Sequence, residues 1–189
     1  TLTRKFFMSE TEVTYELWYN IYTWAISRKG AGKYDFSITT GNEPGAGNDG
    51  VWGEETDSQE PVTRVSWRQD IIWCNALTEY YNSHNGSEPD LECVYYTDAD
   101  YTTPLRTATS STAIDATAGS EDTPYIKASS SGNTDMAYCT AGGFRLPTSM
   151  EWEYAARYRS SGNSFTVDPY SDPYYAQGDY ASGATKVYN

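Results

Sequence analysis

Three stretches of this chain can form amphipathic helices, and the connections between them are long and poor in large apolar residues. That alternation constrains the architecture most, because the connections cannot bury a core of their own. Thr14 can cap a helix whose Tyr15, Trp18, Tyr19, Tyr22 and Ala25 share one aromatic face, ended by Gly30 and Gly32. Ser66 and Gln69 have the spacing of a capping box. Behind them Trp67, Ile71, Cys74, Thr78 and Tyr81 line one side of a helix that runs to about Tyr81. A second capping box, Thr148 with Glu151, follows Pro147 and opens a third helix. There Trp152, Ala155 and Ala156 face inward, and Glu153 and Arg157 are placed for an i,i+4 pair. Short strands are expected within Phe6–Val13, Pro61–Trp67, Leu91–Tyr96 and Phe144–Leu146.

The core that these elements share must be aromatic, since the chain carries 18 Tyr and six Trp. Residues 37–61 form a polar loop in which Asn48, Asp49, Glu54, Glu55 and Asp57 could offer oxygens to calcium. Their spacing does not follow the EF-hand pattern, and a solvated acidic loop is the simpler reading. Residues 97–136 are rich in Ser, Thr, Ala and Gly and read as a surface insertion. The segment 160–189 predicts loops and turns. A formal net charge of −13 argues against nucleic acid or an anionic membrane as partner. No apolar run of about 18 residues is present to span a bilayer. The chain opens at Thr1 without an initiator Met or signal pattern, so any targeting segment is expected to have been removed or omitted.

Cys74, Cys93 and Cys139 are too few for a disulfide scaffold, and at most one disulfide can form among them. Cys74 reads as a small buried apolar residue. His84 stands in a polar turn without a partner histidine for metal or triad chemistry.

Three blocks carry a family resemblance. FFMSETEVTYELW (Phe6–Trp18), PVTRVSWRQDIIWCNALTEYYN (Pro61–Asn82) and GGFRLPTSMEWEYAARY (Gly142–Tyr158) resemble, in that order, blocks of the formylglycine-generating-enzyme (sulfatase-modifying-factor) family. The third is the most specific, and its signature residues here are Arg145, Leu146, Pro147, Thr148, Glu151, Trp152 and Glu153. The resemblance implies an irregular, loop-rich α+β fold of the C-type-lectin-like kind, with residues 1–189 as a single domain whose C-terminal part is missing. In catalytic members a cysteine pair near the C-terminus binds copper and oxidises a substrate cysteine to formylglycine. Nothing here matches that region, so no catalytic or cofactor-binding residue carries over. Copper would enter only with a catalytic C-terminal half, while calcium stays a candidate.

Two further expectations concern the signature. Trp152 should sit at the centre of the core. Arg145 should be partly buried, its guanidinium forked onto a carboxylate (Glu151 or Glu153 locally) or onto backbone carbonyls, because five donors can tie together loops that no sheet satisfies. The expected function is a non-catalytic domain that binds a protein or small ligand through loops and surface tyrosines, located outside the cytoplasm. The alternative is the copper-dependent oxidase, with its catalytic half outside these residues.

Overall fold

Each α-helix of this structure, a computed structural model that describes residues 6–39, 43–46, 58–86, 90–127 and 142–157, begins at a side chain able to take a free first-turn N–H. In α1 (Tyr15–Ser27) the Thr14 hydroxyl accepts from Leu17 N–H at 3.3 Å. The remaining first-turn donors reach loop carbonyls, Tyr15 N–H to Glu60 at 2.8 Å and Glu16 N–H to Ser58 at 2.9 Å. The helix stops before the glycines, where Arg28 turns extended. Ser66 opens α2 (Trp67–His84) with a complete capping box. Its hydroxyl accepts from Gln69 N–H at 3.3 Å, and the Gln69 amide oxygen accepts from Ser66 N–H at 2.8 Å. This helix continues three residues past Tyr81, so His84 is its last residue and not part of the turn, with its ring stacked on Tyr80 at 4.2 Å.

The strands are shorter than their sequence pattern suggests. β1 (Gly45–Ala46) pairs antiparallel with β2 (Val62–Thr63), and β3 (Tyr95–Tyr96) pairs antiparallel with β4 (Tyr125–Ile126). The segments expected as strands at 6–13 and 144–146 hold none. Their backbone groups go instead to single contacts, such as Val62 N–H to the Val13 carbonyl at 2.9 Å. The fold is α+β and loop-rich.

The core joins Trp18, Ile21 and Ala25 of α1, Tyr34 and Phe36 of the following loop, and Ile71 to Cys74 and Ala76 of α2. Val94, Tyr95, Leu105 and Ala108 complete it. Aromatic geometry organises the α1 side: Trp18 stacks on Tyr22 with centroids 5.2 Å apart, and Phe36 meets both edge-on. The Trp73 indole donates to the Trp18 carbonyl at 3.1 Å and fastens α2 to α1. Because chain packs around the middle of α2, residues 71 to 76 are all buried, and a one-sided reading of that helix fails. Trp67 and Tyr81, expected on the inner face, lie at its two ends and are exposed, Trp67 by 52 %.

Part of the expected surface insertion belongs to this core. Leu105 and Ala108 are buried, and the backbone around them pairs with the interior: Leu105 N–H to Tyr95, Asp35 N–H to Arg106 and Ala108 N–H to Asp35, each at 2.9 Å. Few apolar side chains suffice there because the backbone is already satisfied. Residues 128–136 of that segment lie outside the described residues.

Beyond Ala108 the chain is held by Arg68, on the first turn of α2. Its Nε and Nη2 fork onto the two Asp122 oxygens at 2.8 and 2.7 Å. Nη1 donates to Thr109 Oγ1 at 2.9 Å and the Ser111 carbonyl at 2.6 Å, and Nη2 to the Ala113 carbonyl at 2.7 Å. Glu121 lies 3.2 Å from the same guanidinium and also accepts from Thr109 N–H at 2.9 Å. Every donor of this arginine is used.

The chain divides into two compact units, and everything above belongs to Ser9–Leu146. The other unit comprises Thr1–Met8 and Pro147–Asn189. In it, α3 (Ser149–Arg157) starts from the reciprocal pair expected, Glu151 N–H to Thr148 Oγ1 at 3.2 Å and Thr148 N–H to Glu151 Oε2 at 2.8 Å. Trp152 is not in the core; it is 62 % exposed. The capping box turns Glu151 inward, where it is buried, and the next residue projects about 100° further round the helix. The side chains of Glu153 and Arg157, and hence their expected pair, lie outside the described residues.

Candidate functional site

The first half of the signature is docked on α2 and β3 by three backbone donors. Gly143 N–H meets the Glu92 carbonyl at 2.5 Å, Phe144 N–H the Thr78 hydroxyl at 2.9 Å, and Leu146 N–H the Tyr95 hydroxyl at 3.1 Å. Thr78 in turn donates to the Cys74 carbonyl at 2.9 Å, so one hydroxyl relays the signature onto the helix backbone. The approach at Gly143 is close: a Cβ there would lie 2.3 Å from Thr78 Oγ1 and 2.6 Å from the Glu92 carbonyl oxygen. Only glycine fits at position 143.

Leu146 packs against the core, and Phe144 meets Tyr81 edge-on with centroids 6.1 Å apart. Arg145 departs from expectation by being exposed; its Nη1 donates to the Leu146 carbonyl at 3.0 Å. A buried fork of the kind foreseen for it is built by Arg68, because loop carbonyls in need of donors gather at the start of α2. Pro147 and Thr148 are exposed, and Glu151 is buried in its capping box.

Arg145 acts electrostatically on a small group of titratable side chains beneath it. Burial, and then the Asp70 carboxylate, push the Cys74 thiol up to about 12, against the opposing pull of Arg145. Burial alone raises Asp70 to about 6. Tyr95 is raised to about 12, chiefly by burial and next by Cys74. Cys93 is also pushed to about 12 by burial and by Glu79, with Arg106 opposing. Both thiols therefore stay protonated at neutral pH, enclosed in protein. Copper(I) chemistry needs accessible thiolates, so these two cysteines do not fit a copper site. Cys139 and the residues considered for calcium, Asn48, Asp49, Glu54, Glu55 and Asp57, lie outside the described residues. Among the described residues no three His, Cys, Asp or Glu side chains gather as a metal site requires.

A second group of side chains is fixed around the turn after β3. The turn from Thr97 to Thr103 is fixed by Asp98, whose carboxylate accepts from Thr102 N–H at 3.0 Å, Thr102 Oγ1 at 3.1 Å and Thr103 N–H at 2.8 Å. These bonds hold Asp98 below the usual carboxylate range. The turn carries Tyr101 at φ 55°, a left-handed conformation that a bulky residue adopts only when its surroundings impose it. Tyr101 lies edge-on to Tyr96 at 5.5 Å and is 38 % exposed. The Lys127 ammonium stands 6.0 Å from the Tyr96 ring centre and 5.8 Å from that of Tyr101, and pairs with Glu92 at 2.7 Å. Beside it Ile126 is 58 % exposed. The sequence reading singled out none of these residues. The signal was there in Thr97-Asp98-Ala99-Asp100-Tyr101-Thr102-Thr103, where an Asp followed by two threonines marks a side-chain-closed turn.

No helix among the described residues is long and apolar enough to cross a membrane. No curated protein matches the chain. Among solved structures, that of CarF is similar at 27 % identity with a TM-score of 0.48, over 77 % of this chain and 41 % of CarF, so the chain spans less than half the length of that structure. The family model of the sulfatase-modifying factor enzyme 1-like domain matches residues 1–186. A match of that extent, joined to the loop-rich α+β architecture and to a signature glycine that admits no side chain, places the chain: it belongs to the sulfatase-modifying factor enzyme 1-like family, with the formylglycine-generating-enzyme type of fold.

Proposed function

We propose that this chain is a non-catalytic binding domain, displayed or secreted, which holds a protein or small ligand on the surface formed by Tyr101, Ile126 and Lys127, backed by the buried Tyr96. The observation that carries the reading is Tyr101 itself, held left-handed by the Asp98 turn with its ring partly in solvent. A rigid tyrosine offers contact area with little entropy left to lose, and the nearby ammonium adds a charged donor. The tyrosine-rich composition supports the same reading. Screening the chain against peptide and glycan arrays tests it. Capture is expected to weaken at least about tenfold in Tyr101→Ala, the loss typical of an aromatic anchor. Capture unaffected by Tyr101→Ala and Lys127→Ala would place the binding surface elsewhere.

Membership of the family favours a second reading, a copper-dependent oxidase that converts a sulfatase cysteine to formylglycine and draws its thiolates from outside the described residues. Incubating the chain with a cysteine-containing sulfatase peptide, copper, oxygen and a thiol reductant separates the two. By mass spectrometry the peptide is expected to keep its thiol; appearance of the aldehyde would establish the oxidase and overturn the binding reading.

A further inference from the structure

Arg28, Lys29 and Lys33 gather where α1 ends, in a chain that carries 26 acidic residues against 13 basic ones. With acids in such excess, a basic side chain has carboxylates at hand, and Arg68, Arg106 and Lys127 each pair with one. Arg28, Lys29 and Lys33 do not. All three are exposed, and among the described residues no ion pair or side-chain hydrogen bond engages them. The stretch 17–34 around them contains no Asp or Glu. Arg28 is nonetheless held in place. Its guanidinium carbon lies 4.7 Å from the centre of the Trp24 ring, one helical turn back. A Cβ on Gly32 would stand 3.3 Å from Arg28 Nε and 3.4 Å from Nη2, so the group also rests against the Gly32 backbone. Trp24 in turn packs against the core and is met edge-on by Tyr80 at 5.5 Å.

Stacking engages the face of a guanidinium and leaves the N–H donors in its plane unengaged. A cation after a helix also offsets the negative end of the helix dipole, but that role requires no seat on Trp24. A planar fork without an acceptor, flanked by two ammonium groups, matches the paired oxygens of carboxylates. The rest of the chain limits how large an anion can come. A long polyanion such as nucleic acid meets the whole net charge of −13. A short acidic segment spans little more than a Debye length, about 8 Å at physiological salt, and feels mainly the three local cations. We propose that Arg28, Lys29 and Lys33, set on the Trp24 platform, form a docking site for a short Asp- and Glu-rich segment of a partner protein. The site shares no residue with the Tyr101 surface and does not depend on the function proposed for it.

Fluorescence anisotropy of a dye-labelled oligoglutamate peptide, with oligoglutamine as control, tests this. The expected result is saturable binding of oligoglutamate at low ionic strength, weakening as salt approaches about 0.15 M, and none of oligoglutamine. Arg28→Gln should weaken the binding at least about fivefold. So should Lys29→Gln combined with Lys33→Gln, a pair of exposed side chains whose loss leaves the Trp24 stack intact. Thr112→Glu shifts the net charge as much as Arg28→Gln and should change the affinity less than about twofold. Absence of saturable binding would overturn the site, as would binding that Thr112→Glu weakens as much as the arginine and lysine variants do. An oligothymidylate of matched charge held as tightly as oligoglutamate would overturn the assignment to a polypeptide.

Discussion

Asn75 and Tyr95 are joined through the backbone of one and the amide of the other. The Asn75 Nδ2 donates to the Tyr95 carbonyl at 2.7 Å, and its Oδ1 accepts from Tyr95 N–H at 3.2 Å. The same amide also donates to the Leu105 carbonyl at 3.0 Å and accepts from Val94 N–H at 3.2 Å. All four of its hydrogen-bonding positions are used, in a site with no solvent exposure. Asn75→Ala should therefore lose about 3 kcal/mol or more in urea unfolding, since several buried backbone groups would be left unpaired. Asn75→Asp should fare no better at neutral pH, because a carboxylate cannot donate to the two carbonyls. A loss below about 1 kcal/mol for the alanine variant would contradict the assignment.

Gly143→Ala is expected to lower stability by about 1–3 kcal/mol, because the added methyl meets Thr78 Oγ1 and the Glu92 carbonyl at less than contact distance. Gly142→Ala serves as the control, since its Cβ would meet only Val94 Cγ2 at 3.9 Å. Thermal melts of the two variants should separate clearly; equal melts would mean that the signature does not press on α2.

The Asp70 carboxyl gives a pH prediction of known sign. Burial raises it to about 6, above its ordinary 3.8. The folded state thus binds the proton more tightly than the unfolded chain, and Asp70 makes stability fall as pH rises from about 4 to about 6. A difference of about two decades in proton affinity corresponds to an upper value near 3 kcal/mol. Asp70→Asn should be more stable than wild type at pH 7 and equal to it near pH 3. Carboxylates such as Asp98 and Asp115, which are held low by hydrogen bonds, act in the opposite sense in both proteins and cancel in the difference. A pH-independent gap between variant and wild type would count against the buried carboxyl.

Thr148→Ala removes the acceptor for Glu151 N–H at the start of α3 and should cost about 1 kcal/mol, with Thr148→Ser recovering most of it. Chemical denaturation of the three proteins measures this directly. Indistinguishable midpoints would show that α3 does not depend on its cap.

The helix starts were legible because capping is local: Thr14, Ser66 with Gln69, and Thr148 with Glu151 each satisfy an N–H within three residues. What hydrophobic periodicity could not show is which polar residues go inside. Arg68 and Asn75 are buried because irregular chain far away in sequence, at 94–95, 105 and 109–122, presents unpaired backbone groups to α2. That role was expected of Arg145 from the signature alone; Arg68 fills it in a buried setting, while Arg145 is exposed and donates to the Leu146 carbonyl. Trp152 failed for a related reason: its apolar bulk suggested the interior, but the cap fixed the rotation of α3 through Glu151. The candidate binding surface was the least visible part, because a left-handed tyrosine leaves no mark on composition or periodicity.

The Arg68 clamp has a consequence for how this domain can diversify. Beyond Thr109, it grips the stretch up to Ala113 by the carbonyls of Ser111 and Ala113, groups that every amino acid possesses, and closes it with Asp122. The side chains mounted between those grips, including Ile114 with 82 % of its surface in solvent, are not what holds the loop in place. Such a stretch can be rewritten residue by residue while its path stays put, in the way a typeface changes on a fixed line of print. Natural variation and laboratory libraries alike should therefore find residues 110, 112, 114 and 116 open to substitution, provided Arg68, Thr109, Glu121 and Asp122 are kept.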